Sequence, residues 1–268
     1  MVSFPNCKIN LGLHITDKRP DGYHNLETIF YPIDLRDIIE IVPSDTFQFI
    51  TSGLPINGSS GENLCVKAYW LLKKEFPGLP PVKMWLHKHI PMGAGLGGGS
   101  ADGAFTLKLL NAKFNLGLTT NQIIGYASQL GSDCPFFIFN APCYATGRGE
   151  IIEPFQLDLS SYSWVIVHPE IHIRTAWAFS QINPDAQQKS LKEIIVLPMG
   201  QWKNELKNDF EDPVLRQYPQ LHIIKEKLYE AGAVYVSMSG SGSSFYGLFR
   251  SKPSGVPPVL KNYNLTIL

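Results

Sequence analysis

The sequence predicts an α+β protein, and three observations support that class. Strand-like and helical segments are mixed along the 268 residues without the regular alternation that builds a parallel α/β sheet. Alternating apolar residues at 82–89 run directly into the glycine-rich stretch 91–101, and a helical pattern follows at 100–111. Apolar residues make up 44% of the chain, which is enough for a substantial buried core.

The first half of the chain contains several separate element patterns. Short strands, an exposed polar loop, a helix and a further strand are predicted in turn at 38–42, 47–50, 51–62, 63–76 and 82–89. Thr119 or Thr120 is suited to cap a helix that ends near Leu130, and Gly131 would stop it.

The second half begins after a polar segment at 154–162, which has the composition of a linker. Strands are predicted at 164–168, 234–238 and 244–249, and helices at 202–210 and 221–231. A boundary in the linker predicts two domains, residues 1–158 and 159–268.

Charge and cysteine usage exclude several classes of protein. Lys plus Arg and Asp plus Glu both number 23, so the net charge is zero, which argues against nucleic-acid or membrane partners. The four cysteines show no CxxC spacing, so no zinc site is expected. No apolar run reaches the ~18 residues of a membrane span. A cytoplasmic monomer or homodimer is therefore expected.

The glycine-rich loop carries the strongest functional signal. It consists of Pro91, Met92, Gly93, Ala94, Gly95, Leu96, Gly97, Gly98, Gly99, Ser100 and Ala101. Glycine accepts positive φ and has no Cβ, so consecutive N–H groups can face a ligand. The N-terminus of the following helix adds unpaired N–H groups and a positive dipole end. The loop therefore predicts a binding site for the phosphates of a nucleotide.

Other interpretations of the loop are weaker. Gly93, Gly95 and Gly98 match the dinucleotide-binding pattern G-x-G-x-x-G, but no acidic residue occurs about 20 positions later. Walker A is excluded because no Gly-Lys-Ser/Thr follows. A flexible linker remains an alternative, although linkers seldom place Leu among glycines or run straight into an apolar-periodic helix.

The loop resembles the phosphate loop of the GHMP kinase family, which includes galactokinase, homoserine kinase, mevalonate kinase and phosphomevalonate kinase. The resemblance implies that residues 91–101 bind ATP, with Mg²⁺ as cofactor. The family usually has a second serine where this chain has Ala101. Ser100 is then the hydroxyl available to phosphate or Mg²⁺, and no protein carboxylate is expected to hold the metal.

Four further segments resemble a branch of this family that phosphorylates a cytidyl diphosphate sugar alcohol in non-mevalonate isoprenoid biosynthesis. They read NCKINLGLHI…RPDGYHNLET from residue 6 to 28, GSDCPFF from 131, ATGRGE from 145 and SGSGSS from 239. The resemblance implies an N-terminal ribosomal-protein-S5-like domain, a C-terminal ferredoxin-like domain and an active site in the cleft between them.

Asp133 and Lys8 are the predicted catalytic residues. From the residues alone, Asp133 beside glycine and serine is more readily a turn or capping residue. Lys8 is equally compatible with an outward position on an edge strand. The resemblance favours Asp133 as the base that takes the acceptor proton. It also implies that Lys8 lies beside that carboxylate, where a cation lowers the carboxyl pKa and attracts developing negative charge.

Tyr23 and His24 are predicted to recognise cytosine by stacking and hydrogen bonding. Each is equally compatible with packing on its own domain. By resemblance, Thr175 and Phe179 also contact the base, with Trp177 as a competing aromatic.

Two asparagines complete the predicted site. By resemblance, Asn10 holds the acceptor substrate and Asn63 lines the adenine pocket, although Asn63 is equally suited to cap a helix. Three rival functions remain at this point: a GHMP kinase for another alcohol, a non-catalytic nucleotide-binding protein and, least favoured, a dehydrogenase.

Overall fold

A computed structural model describes residues 1–56, 58–185 and 189–268. These residues form two units, each assembled from segments that are separate in the sequence. Unit 1 comprises Met1–Lys8, Pro32–Met92 and Gly97–Ala141. Unit 2 comprises Ile9–Tyr31, Gly93–Leu96 and Pro142–Leu268. The domain boundary between residues 158 and 159 stays a prediction.

Strands and helices are interspersed along the described chain. The strands are β1 (Val2–Ser3), β2 (Asn6–Lys18), β3 (His24–Arg36), β4 (Ile38–Pro43), β5 (Gln48–Gly53), β6 (Val82–Lys88), β7 (Cys143–Thr146), β8 (Ile151–Pro154), β9 (Ser163–His168), β10 (Tyr235–Met238), β11 (Phe245–Phe249) and β12 (Asn264–Ile267). The α-helices are α1 (Leu64–Glu75), α2 (Gly98–Phe114), α3 (Thr120–Leu130), α4 (Cys134–Phe139), α5 (Thr175–Ser180), α6 (Leu191–Ile194), α7 (Met199–Glu205), α8 (Glu211–Gln217) and α9 (His222–Glu230). The α+β prediction is confirmed.

Unit 1 contains a sheet with the strand order β1-β4-β6-β5. Strand β4 pairs antiparallel with β6, so that Ile39 lies opposite Leu86 and Ile41 opposite Met84. All four side chains are buried, because alternate residues of a strand face the same side. The alternation at 82–89 therefore identified the buried face of β6 correctly. Helix α2 packs against β4 and against α1, α3 and α4.

Of two helices of unit 1 with sequence signals at their starts, α3 begins as its signal indicates and α2 begins earlier. Thr119 caps α3 by accepting a hydrogen bond from the Gln122 N–H, and the Gln122 side chain accepts from the Thr119 N–H in return. Helix α2 begins at Gly98, two residues before the predicted start at Ser100. Its first turn is therefore made of glycine-loop residues, because glycine can occupy helical as well as left-handed conformations.

Two further sheets have the strand orders β2-β3-β7-β8 and β10-β11-β9-β12. Strands β9, β10 and β11 correspond to predicted strands. Strand β3 was not predicted, because residues 26–30 are buried in succession and continuous burial removes the alternation that signals a strand. Strands β7, β8 and β12, of four residues each, were also not predicted.

The helix predicted at 202–210 is wrong over its second half. Helix α7 ends at Glu205, and the chain then extends. Asn208 Oδ1 accepts a hydrogen bond from the Phe210 N–H at 3.0 Å. Asn side chains that bond to nearby backbone groups in this way compete with helix formation.

In the part of the chain that the structure describes, no helix is long and apolar enough to cross a membrane.

Candidate active site

Lys8 and Asp133 lie next to each other in unit 1. Lys8 Nζ is 3.6 Å from Asp133 Oδ2. Lys8 is 3% exposed, whereas the Asp133 side chain is 32% exposed. Burial lowers the pKa of the Lys8 ammonium, and the neighbouring carboxylate opposes that change. The pair therefore joins a buried cation to a carboxylate that an external molecule can reach.

The turn that contains Asp133 is held by backbone atoms and does not use the Asp133 carboxylate. The turn before α4 is closed by the backbone, where the Cys134 N–H donates to the Gly131 carbonyl oxygen at 3.2 Å. Among the described residues, the Asp133 side chain makes no capping hydrogen bond to α4. The capping alternative for Asp133 therefore lacks the bond that would define it.

The start of α2 lies beside the same lysine. Gly97 precedes the helix with φ of +70°, a conformation that favours glycine. A Cβ at Gly97 would lie 3.2 Å from Lys8 Cε and 3.0 Å from Phe137 Cζ. The unpaired N–H groups and positive dipole end of α2 are thus next to a buried ammonium. Two sources of positive potential at one place suit an anionic ligand.

The middle of the glycine loop, residues 93–96, is held within unit 2 by residues 239–244. The Ser239 hydroxyl donates to the Gly95 carbonyl oxygen at 2.8 Å, and the Ser244 N–H donates to the Ala94 carbonyl oxygen at 3.2 Å. Gly95 has φ of +78°, and a Cβ there would overlap the Ser239 carbonyl oxygen. Only glycine allows the two segments to approach so closely.

Ser100 and Ala101 occupy the first turns of α2. Ala101 is fully buried, whereas Ser100 is half-buried. All four cysteines are free thiols. No group of three or more His, Cys, Asp or Glu side chains in the described ranges is arranged to hold a metal ion.

Lys88, Asp37 and Asp102 form a buried charge cluster near the start of α2. Lys88 Nζ donates to Asp37 and, at 2.8 Å, to Asp102 Oδ2. Asp37 Oδ1 accepts the N–H groups of His89 and Ile90 at 2.6 and 2.9 Å. The cluster therefore links the end of β6 to α2. The residues of this cluster were not predicted as a group, although a lysine at the end of a buried strand and an aspartate within an apolar helix were visible signals.

When both carboxylates are ionised, the cluster has two negative charges and one positive charge. Burial raises the pKa of Asp102 well above its usual range. Burial alone would lower the pKa of Lys88, but the two carboxylates outweigh it and raise that pKa. Lys88 therefore stays charged.

His24 and Phe179 come together in unit 2. Their rings stack with centroids 5.1 Å apart and planes inclined by 21°, which is direct ring contact and leaves no room for a base between them. Tyr23 is 56% exposed, and the Arg148 guanidinium lies 4.7 Å from its ring centroid. Trp177 instead packs edge-on against Tyr218. Of the two competing aromatics, Phe179 is therefore the one beside His24.

Asn10 and Thr175 both contact partners near residues 239–244. Asn10 is 2% exposed, its Nδ2 donates to Thr28 Oγ1 at 3.0 Å, and its N–H donates to Ser239 Oγ at 3.3 Å. The Thr175 hydroxyl is 3.1 Å from the Ser241 hydroxyl. Both residues therefore belong to the polar network around the 239–244 loop.

Asn63 occupies a helix cap in unit 1. Its Oδ1 accepts a hydrogen bond from the Cys65 N–H at 2.9 Å at the start of α1. This is the capping role that the sequence left open. A contact of Asn63 with adenine stays a prediction.

Family descriptions match both halves of the chain. The one for "GHMP kinases N terminal domain" matches residues 63–141, and the one for "GHMP kinases C terminal" matches residues 189–256. The first match contains the start of α2 and Asp133, and the second contains the 239–244 loop.

Curated relatives match nearly the full length. The chain is 56% identical over 253 residues to the "4-diphosphocytidyl-2-C-methyl-D-erythritol kinase" of Bacteroides fragilis, covering 93% of this chain and 92% of that protein. It is 53% identical over 262 residues to the protein of the same name from Bacteroides thetaiotaomicron, covering 96% and 94%.

Solved structures agree with these matches. A crystal structure of "4-(cytidine 5'-diphospho)-2C-methyl-D-erythritol kinase" has a TM-score of 0.82 and 28% sequence identity, covering 100% of this chain and 98% of that one. A crystal structure of mevalonate kinase, 14% identical with a TM-score of 0.67, shares the fold. The chain therefore belongs to the GHMP kinase family, among its 4-diphosphocytidyl-2-C-methyl-D-erythritol kinases.

Proposed function

We propose that the protein transfers the γ-phosphoryl group of ATP to the 2-hydroxyl of 4-diphosphocytidyl-2-C-methyl-D-erythritol, giving the 2-phosphate and ADP. This reaction belongs to non-mevalonate isoprenoid biosynthesis. The observation that carries the proposal is the pairing of Lys8 with Asp133 at 3.6 Å, beside the N-terminus of α2. Phosphoryl transfer needs a proton acceptor and positive potential together, and these residues supply both.

Asp133 takes the proton of the acceptor hydroxyl. The oxygen then forms a bond to the γ-phosphorus as the bond between that phosphorus and the β,γ-bridging oxygen breaks, and ADP leaves. The Lys8 ammonium attracts the oxygen as negative charge develops on it. Because Lys8 is buried, its charge acts through a medium that screens it less than water does.

The glycine loop 91–101 binds the phosphates of ATP through its backbone N–H groups. Mg²⁺ supplies charge neutralisation of the phosphate oxygens. Ser100, in the first turn of α2, is the side chain that would hold the metal.

Cytosine recognition is assigned to Tyr23, His24, Thr175 and Phe179, with Asn10 holding the acceptor part of the substrate. The stack of Phe179 on His24 limits rotation of the imidazole, so that its nitrogens are presented to the polar edge of the base. Tyr23 offers an exposed ring for stacking. Mevalonate, homoserine and galactose contain no base, so a kinase for any of them does not need these residues for base recognition.

Release of ADP from ATP tests the proposed function. The purified protein is compared with the cytidyl erythritol substrate, mevalonate, homoserine and galactose as acceptors. We expect turnover with the cytidyl compound and at most trace turnover with the others. Preference for another acceptor would replace the substrate assignment, and ATP binding without ADP release for any acceptor would favour a non-catalytic nucleotide-binding protein.

Replacing His24 with Ala is expected to raise KM for the cytidyl substrate by about tenfold or more, since one or two hydrogen bonds to the base are lost. KM for ATP should change by less than about twofold. The measurement is steady-state kinetics with each substrate varied in turn. His222→Ala at an exposed position is the matched control, and equal shifts of both KM values in His24→Ala would count against base recognition by this histidine.

A further inference from the structure

Residues 208–211, Asn-Asp-Phe-Glu, form a segment of unit 2 that follows α7 and runs into the first residue of α8. The segment lies along β2, where the Asp209 N–H donates to the Leu13 carbonyl oxygen at 2.8 Å. Asp209 Oδ2 accepts the Ile15 N–H at 2.7 Å. The backbone of the 208–211 segment is therefore fixed to a strand of the sheet, which gives its side chains a defined position.

Asn208 uses all of its side-chain hydrogen-bonding groups within this unit. It is 4% exposed, and its Nδ2 donates to the carbonyl oxygens of Met238 and Gly240, both at 2.8 Å. Its Oδ1 accepts from the Phe210 N–H. Because the two carbonyl groups flank Ser239, a single amide fixes the backbone on both sides of that serine.

The position of Ser239 decides the position of the glycine loop in this unit. The Ser239 hydroxyl holds the Gly95 carbonyl oxygen at 2.8 Å. A Cβ at Gly240 would lie 3.3 Å from Gly95 Cα, so the two backbones are in close contact. A shift of the 238–240 backbone would therefore move Gly95, which belongs to the loop assigned to the ATP phosphates.

Phe210 connects the same segment to the residues assigned to the base. It is 2% exposed, and its ring packs edge-on against Phe179 with centroids 4.9 Å apart and planes at 82°. Phe179 in turn stacks on His24. The Phe210 ring therefore supports the side of Phe179 and restricts the ring that holds the imidazole.

We propose that Asn208 and Phe210 are positioning residues with separate effects, Asn208 on the loop that binds ATP and Phe210 on the pair that binds cytosine. The proposal rests on the function proposed above. Two side chains that are two residues apart would then set the geometry for two different substrates. Neither residue needs to touch a substrate to do so.

Separate KM measurements for the two variants test this proposal. Asn208→Ala should raise KM for ATP by about tenfold, since three hydrogen bonds are lost, two of them to the 238–240 backbone. It should change KM for the cytidyl substrate by less than about twofold. Phe210→Leu should do the reverse. Phe249→Leu is the matched control, because it makes the same side-chain change at a similarly buried position of the same hydrophobic core, 3% exposed. It should leave both KM values unchanged.

A merely structural role predicts a different pattern. Both KM values would move by the same factor, or neither would move while the unfolding midpoint fell, and either result would overturn the proposal. If Asn208→Ala does not fold, Ser239→Ala carries the same test, because it removes the hydroxyl that holds Gly95 and leaves Asn208 in place. Calorimetric titration with ATP needs no acceptor, so the Asn208 result can be read even if the parent prefers a different alcohol.

Discussion

Replacing Asp133 with Asn is expected to lower kcat by about 10²–10⁴-fold, the usual contribution of a positioned general base. The amide has nearly the shape of the carboxylate but cannot take the proton of the acceptor hydroxyl. ATP affinity should change by less than about twofold, because the turn that carries residue 133 is closed by backbone atoms of Gly131 and Cys134. Single-turnover ADP formation and calorimetric titration with ATP measure the two quantities.

Asp45→Asn is the matched control for that experiment, since Asp45 is an exposed residue of unit 1 outside the candidate site. It should leave kcat unchanged. Unaltered phosphoryl transfer in Asp133→Asn would remove this residue from the mechanism. A parallel loss of ATP binding would show that Asp133 maintains the phosphate loop rather than accepting a proton.

Replacing Lys88 with Met is expected to lower the free energy of unfolding by about 3–5 kcal/mol, the usual result of removing one partner of a buried ion pair. Lys88 and Asp37 are fully buried and Asp102 is 2% exposed. The substitution leaves two buried carboxyl groups without a cation. Urea or guanidinium unfolding, followed by circular dichroism, measures the change.

Lys83→Met on the same strand provides the control for Lys88→Met. Lys83 is half-buried and its Nζ lies 4.6 Å from the Trp85 ring centroid, so the loss should stay below about 1 kcal/mol. Adding Asp102→Asn to Lys88→Met should recover part of the stability, because one carboxyl group that lost its cation is removed. Equal losses in Lys83→Met and Lys88→Met would contradict the assignment.

The local parts of the site could be predicted from sequence. Seven residues of one loop contain five glycines, and their positive φ values at Gly93, Gly95 and Gly97 follow from that composition. Helix α3 and strand β6 were also predictable, because caps and alternating burial are properties of neighbouring residues. The roles of Lys8 and Asp133 were inferred by resemblance, since a separation of 125 positions carries no local signal.

The parts that failed or were missed depend on contacts between distant segments. The helix predicted at 202–210 does not continue past Glu205. The Asn208 amide bonds instead to Phe210 and to carbonyl groups some 30 residues away. In the buried charge cluster, Lys88 binds both Asp37 and Asp102. A strand pattern is recognised by its apolar residues, so it gives no role to a buried lysine. Neither arrangement has a periodicity that a sequence pattern can detect.

By itself, the sequence determined the glycine-rich loop at 91–101, the order of most central elements and the chemical types available at the site. Backbone conformation within a few residues depends on local side chains, which the sequence specifies directly. The tertiary structure alone decided which charges are buried together and which aromatic ring lies against His24. It also decided which asparagine holds the 238–240 backbone. Burial and pairing depend on residues brought together from far along the chain, and their energies exist only once folding has removed water from between them.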